Sequence, residues 1–214
     1  MIKTHHIILI FIPAILLVGI TLFIRIIQYQ SLYQKDTQVV TNNENNLPIP
    51  IFSDDAIIGD KRAPITLIAF EDLGCEACAA QNILFDELLA KYPKKVKIIW
   101  KGLPVTRFPV ATDQAHEYAY CAALQNKFVP FKQQVYANNS NLTPAIVEQM
   151  AVEAGVNIDK VETCIATGAP QQYIENTKQL AKILQIQSVP TVFYNGEQIE
   201  EPTSLAGWER LLEL

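Results

Sequence analysis

The sequence lacks a concentration of positive charge. Its 17 lysines and arginines are outnumbered by 22 acids, the net charge is −5, and no basic cluster stands out. A nucleic-acid partner is therefore not expected, because a phosphate backbone is gripped by clustered Lys and Arg. Histidine is scarce, with three residues, two of them adjacent at His5 and His6. Those two lie beside an apolar run and read as interfacial polar residues rather than a metal site. There is one C-x-x-C but no second one, and no His-x-x-x-His. A structural zinc site of the usual spacing is thus incomplete. No internal repeat and no dimerisation segment is visible, so a monomer is the default expectation. Cysteines number four: Cys75, Cys78, Cys121 and Cys164. An even count suits an oxidising compartment without proving one.

Ile7 to Ile24 reads IILIFIPAILLVGITLFI, about 18 residues without a charge, and Ile26-Ile27 extend it past Arg25. At ~1.5 Å rise per residue this approaches the ~30 Å hydrocarbon thickness of a bilayer. Pro13 and Gly19 are tolerated in a membrane helix. Phe23, Ile24, Arg25, Ile26 and Ile27 are all bulky, so the small-residue cleavage site of a signal peptide is missing. The expectation is a retained single-pass anchor over residues 1–28, contacting the lipid bilayer through residues 7–27. A cleaved signal and a buried soluble helix are the other readings. Lys3 on one side and Arg25 and Lys35 on the other do not fix its orientation. Residues 29–53, with the polar Thr41-Asn42-Asn43-Glu44-Asn45-Asn46 followed by Pro48 and Pro50, read as a flexible tether.

The globular domain is expected over residues 54–214. Gly59 to Pro64 reads as a loop into a strand, Ile65–Phe70. From Ala77 to Tyr92 the apolar positions Ile83, Leu84, Leu88 and Leu89 recur at helical spacing. Val96 to Trp100 is a second, mostly apolar strand of the buried kind. Strand–helix–strand implies a parallel pair with a right-handed crossover. A helical insert of about 108–186 follows, with candidate helices over 111–125, 128–137, 144–154, 158–167 and 170–185. Thr143-Pro144 offers a cap and a first-turn proline. Gly155 and Gly168 stand where helices should stop. The sheet resumes with Thr191–Tyr194, turns at Asn195-Gly196, a strong two-residue hairpin signal, and returns with Glu197–Ile199. A closing helix is expected over 203–214.

The chemistry centres on Cys75-Glu76-Ala77-Cys78, at the junction of strand and helix. A redox-active dithiol is the leading reading, because a helix N-terminus favours a thiolate there. A zinc half-site, with Cys121, Cys164 and His116 as further ligands on paper, a copper chaperone and two inert cysteines are the alternatives. In thiol–disulfide exchange Cys75 is the exposed nucleophile, and Cys78, one turn in, is the more buried resolving thiol. Val189-Pro190-Thr191 is the second clue. It reads either as an ordinary strand-start proline or as a cis-proline loop facing the C-x-x-C. The latter leaves the Val189 backbone free to pair with a bound peptide.

In the order Gly59…Ala63-Pro64, strand, Asp72-x-x-Cys75-x-x-Cys78, helical insert, Val189-Pro190-Thr191 and Asn195-Gly196, the chain resembles the DsbA-like thioredoxin-fold disulfide oxidoreductases. The resemblance covers residues 54–214. It implies an α/β thioredoxin fold with an inserted all-helical subdomain, here preceded by one N-terminal transmembrane helix. It implies a membrane-anchored or exported bacterial protein acting outside the cytoplasm, here expected at the cell membrane with its catalytic domain on the extracytoplasmic side. Its electrons would be carried by the redox-active disulfide itself, with no other cofactor and no metal. Implied partners are thiol-containing exported proteins and a membrane or extracytoplasmic redox partner that resets the disulfide.

Two departures bear on the direction of electron flow. Glu76 and Ala77 stand where strong oxidases of the family carry Pro-His, and an inward-pointing Glu76 would raise the Cys75 pKa and make the pair less oxidising. Six positions before Cys75, where the family often has an acid, stands Ala69. Glu71 and Asp72 are nearby, either to assist proton transfer from Cys78 or as loop acids in solvent. The expected activity is disulfide formation, with a reductase or isomerase as the alternative and a non-catalytic metal-binding or scaffold module as the second.

Cys121 and Cys164 each fall within an apolar helix face. A structural disulfide between them is favoured over two buried free thiols or a second redox couple. Asn138-Asn139-Ser140 and Asn141-Leu142-Thr143 match glycosylation acceptors but read as an Asn-rich turn.

Overall fold

The computed structural model describes Leu16, residues 18–24, Gln38, Val39 and residues 49–214. The anchor expected over 7–27 lies largely outside these residues. So do His5, His6 and most of the tether expected over 29–53. Leu16 and residues 18–24 are helical, with exposed apolar side chains. Among the described residues no helix is long and apolar enough to cross a membrane.

The domain is built on a five-stranded sheet. Its strands are β1 (Ala56–Gly59), β2 (Ile65–Glu71), β3 (Val96–Gly102), β4 (Thr191–Tyr194) and β5 (Glu197–Ile199). Their spatial order is β1-β3-β2-β4-β5. β2 and β3 are parallel, with Ile65 opposite Val96 and Glu71 opposite Gly102. The other three pairings are antiparallel. A parallel pair cannot be joined by a tight turn. Helix α1 (Glu76–Lys91) makes the connection and buries Cys78, Phe85 and Leu88.

Side chains alternate between the two faces of the sheet. Leu67, Ala69, Ile98, Trp100 and Val192 pack on one side with Phe85, Leu88 and Trp208. Ile68, Phe70, Ile99 and Phe193 pack on the other with Leu180 and Ala181. Burial on both faces is why the central strands read as continuous apolar runs rather than as alternation. Trp208, on helix α7 (Leu205–Leu211), is fully buried and lies 5.4 Å, centroid to centroid, from the Phe85 ring.

β1 was not expected. Its four residues carry too little alternation to be told from a loop, and they become a strand by pairing with β3. The hairpin is as the sequence predicts: Asn195 and Gly196 both have positive φ, 51° and 82°, the pattern of a type I′ turn.

Five helices stand between β3 and β4: α2 (Asp113–Leu124), α3 (Phe128–Ala137), α4 (Pro144–Glu153), α5 (Ile158–Ala166) and α6 (Ala169–Ile183). Each begins and ends within two residues of its expected span. Gly155 and Gly168 adopt left-handed φ of 76° and 73° just beyond α4 and α5. Thr143 is the N-cap of α4, but its side chain makes no capping hydrogen bond. Cys121 on α2 and Cys164 on α5 are joined by a disulfide, with Cα atoms 6.0 Å apart.

Candidate active site

β2 ends at Glu71, and the next four residues turn the chain into α1. The turn is held by Asp72, whose backbone carbonyl accepts the Cys75 N–H at 3.1 Å. Cys75 is the N-cap of α1, with extended backbone (φ −90°, ψ 120°). Its sulfur takes the place of a capping oxygen and accepts the backbone N–H of Cys78 at 3.1 Å. The first N–H groups of a helix lack intrahelical partners and carry the positive end of its dipole. Cys75 Sγ also lies 3.5 Å from the carbonyl oxygen of Val189, to which its thiol donates. The Val189–Pro190 bond is cis, as one reading of the sequence expected; a second cis bond, Phe108–Pro109, was not.

The two thiols differ sharply. Cys75 is half-buried and Cys78 is fully buried. The Cys78 thiol and the N–H groups of Cys78 and Ala77, all donating to its sulfur, bring Cys75 down to about 7, against an upward push from burial and from the charge of Asp72. Burial pushes Cys78 far above the usual thiol range, helped by its bond to Cys75 and by the charge of Glu71. The pair therefore has one ready nucleophile and one reluctant thiol.

Glu71 and Asp72 are not loop acids in solvent: both side chains are fully buried. The strand end turns one acid toward each thiol. Asp72 Oδ1 accepts Gly74 N–H at 3.0 Å, and Oδ2 accepts Val105 and Thr106 N–H at 2.7 and 2.6 Å. His116 Nε2, from α2, lies 3.2 Å from Asp72 Oδ1 and 3.2 Å from the Leu73 nitrogen. A protonated Nε2 donates to the carboxylate, whereas a bare Nε2 accepts the Leu73 N–H. Burial pushes the Asp72 carboxyl upward, but His116 and the N–H donors outweigh it and hold the pKa well below the usual carboxylate range. Glu71 sits on the Cys78 side. Its Oε2 lies 3.3 Å from Tyr136 Oη and 3.7 Å from Lys132 Nζ, both on α3. Burial pushes Glu71 up and Lys132 down, each opposed by the charge of the other.

Glu76 and Ala77, between the cysteines, are exposed. The condition set for Glu76, that it point inward, is not met. The acid whose charge disfavours the Cys75 thiolate is Asp72. Glu76 instead borders a cleft of about 260 Å³ together with Gly74, Thr106, Phe108 and Leu142.

The residues that could have completed a zinc site are not brought together. Cys121 and Cys164 are bonded to each other, and His116 is held by Asp72 and Leu73. Among the described residues no group of three or more His, Cys, Asp or Glu is placed to hold a metal ion.

Sequence reasoning missed Lys132 and Tyr136, and named His116 only as a zinc ligand on paper, not as the partner of Asp72. For Lys132 a trace was legible: it shares the buried face of α3 with Phe128, Phe131, Val135 and Tyr136. A lysine inside an apolar stripe needs a buried partner. His116 likewise stands on the buried face of α2, with Ala115, Ala119 and Tyr120.

A family model described as thioredoxin matches residues 53–214. Among curated proteins, the Na(+)/H(+) antiporter NhaA 1 of a Mycobacterium species is 26% identical over 161 residues, covering 74% of this chain and 26% of that protein. The chain thus spans about a quarter of the length of the curated relatives it matches. Among solved structures, the catalytic domain of Proteus mirabilis ScsC is similar with a TM-score of 0.65 and 20% identity, over 75% of this chain and 88% of that one. The thiol-disulfide exchange protein alpha-DsbA2 from Wolbachia pipientis is similar with a TM-score of 0.67 and 17% identity, over 75% and 87%. At such identities the structural likeness is one of fold.

Proposed function

Because the chain belongs to the thioredoxin family, we propose that it is a thiol–disulfide oxidoreductase that forms disulfides in exported proteins through Cys75 and Cys78. The observation that carries this reading is the setting of Cys75. Its sulfur caps α1, accepts the Cys78 N–H, is brought down to about 7 and lies 3.5 Å from the Val189 carbonyl oxygen.

In the oxidised form a substrate thiolate attacks Cys75 Sγ. The Cys75–Cys78 bond breaks, its electron pair goes to the Cys78 sulfur, and that sulfur takes a proton. A second substrate thiolate then attacks the substrate sulfur of the mixed disulfide and expels Cys75 as a thiolate. The substrate loses two electrons and two protons and gains a disulfide; the protein is left with both thiols reduced. Glu71, buried on the Cys78 side, is placed to pass the proton to Cys78 and to accept it when the pair is reoxidised. Val189 offers its backbone to a substrate chain lying across Cys75. The pair carries the electrons itself, with no cofactor, and a membrane or extracytoplasmic partner resets it.

The apolar run over residues 7–27 supports a single-pass membrane anchor with the catalytic domain on the extracytoplasmic side. The domain's own disulfide suits that compartment.

A reductase or isomerase is the second reading, and a specific observation favours it. Cys75 at about 7, with Asp72 opposing its thiolate, matches the ~7 of thioredoxin rather than the ~3.5 of strong oxidases. Equilibration of the domain with glutathione buffers, with Cys75→Ser as control, decides between them. A potential above about −150 mV supports disulfide formation and one near −270 mV supports reduction. The absence of any two-electron couple would leave only a metal-binding or scaffold role.

A further inference from the structure

Beside Cys75 lies a cleft of about 260 Å³. The C-x-x-C loop supplies Gly74 and Glu76; the segment after β3 supplies Thr106 and Phe108; the turn between α3 and α4 supplies Asn139 and Leu142. Phe108 is 87% exposed and presents its ring to the cleft. Glu76 is the single acidic or basic residue of the lining, and among the described residues its side chain has no hydrogen-bond or ion-pair partner. Arg107, next to Phe108, is already committed: its guanidinium pairs with Asp113. The cleft therefore combines an exposed ring and neighbouring apolar surface, interleaved with polar side chains, with one carboxylate that has no ion-pair partner at its rim, one residue from Cys75.

We propose that Glu76 and this cleft select polypeptides carrying a lysine or arginine beside the reacting cysteine. The aliphatic stem of such a side chain lies against the exposed ring of Phe108, and its cation meets Glu76. Long basic side chains have this division between an apolar stem and a charged head. The same carboxylate disfavours an acid beside the reacting cysteine, so the rim both attracts and rejects. The inference rests on the oxidoreductase reading and deepens it by naming a substrate class.

The test uses the oxidised full chain and three peptides that differ only in the residues flanking one cysteine: Lys, Gln or Glu. Rates of mixed-disulfide formation, compared per thiolate, are expected in the order Lys, Gln, Glu. The expected span is about tenfold at low ionic strength and shrinks in added salt. In Glu76→Gln the span collapses toward one. In Glu87→Gln, which removes an exposed acid farther along α1, it persists. Equal rates in the wild-type protein, or an unchanged span in Glu76→Gln, would overturn the proposal and leave the oxidoreductase reading intact. Failure of mercaptoethanol to open the Cys75–Cys78 bond sinks that reading and the subsite with it.

Discussion

The backbone N–H of Cys78 donates to the sulfur of Cys75 at 3.1 Å, and together with the Cys78 thiol it brings Cys75 down to about 7. With Cys75 brought to about 7 and Cys78 pushed far up, alkylation of the reduced protein should be confined to Cys75 below pH 9. The iodoacetamide rate should rise with pH and reach half its plateau near pH 7, read by mass spectrometry of the labelled peptide. Cys78→Ser should trap substrates as mixed disulfides on Cys75, resolved on non-reducing gels. Labelling of Cys78 at neutral pH would contradict the assignment of roles.

Asp72→Asn should separate two effects of one carboxylate. The charge of Asp72 opposes the Cys75 thiolate, so its removal should move the Cys75 midpoint below about 7 and make the pair more oxidising. The same change should cost stability at neutral pH. Asp72 has a folded pKa below its unfolded value, so its contribution is present above about pH 4 and is lost as the pH falls. Urea unfolding at pH 7 should show the variant weaker by about 1–3 kcal/mol, with the gap narrowing progressively as the pH falls below 4.

Lys132→Met should leave Glu71 buried with no cation. A broken buried pair of this kind costs about 3–5 kcal/mol. Adding Glu71→Gln should recover most of the loss, since no charge then remains unpaired. Glu71 has a raised pKa in the fold. Its neutral form is favoured, so in Lys132→Met the loss should be small below the usual carboxylate pKa and grow as the pH rises through the folded value. Denaturant midpoints of the single and double variants between pH 4 and 8 check this. A double variant no more stable than Lys132→Met would rule out the pairing as the cause.

Removal of the second disulfide by Cys121→Ala with Cys164→Ala should destabilise without altering exchange. Closing a loop with a sequence separation of 43 contributes about 4 kcal/mol in the chain-entropy account. The thermal midpoint should therefore fall by several degrees, while the Cys75 alkylation profile stays in place. A shift in that profile would mean that the insert's disulfide communicates with the active pair.

Local spacing made the dithiol legible in the sequence. Two cysteines three positions apart at a strand-to-helix junction put one sulfur at the helix cap and the other a turn inside, whatever the rest of the chain does. The helices of the insert, the Asn195-Gly196 turn and the stops at Gly155 and Gly168 were legible for the same reason. Periodicity and left-handed φ are properties of neighbouring residues. β1 was not legible, because Ala56–Gly59 is a strand only by virtue of β3 beside it.

The electrostatics of the pair were decided by the tertiary structure alone. Glu71 and Asp72 look like solvated loop acids until the insert is folded over them. Only then does α2 bring His116 to Asp72 and α3 bring Lys132 and Tyr136 to Glu71, across sequence separations of 44, 61 and 65. Glu76, which the sequence makes the obvious tuner of Cys75, turns outward to the rim of the cleft. Charges act through space and through the dielectric around them, and both are set by which distant segments fold against the site.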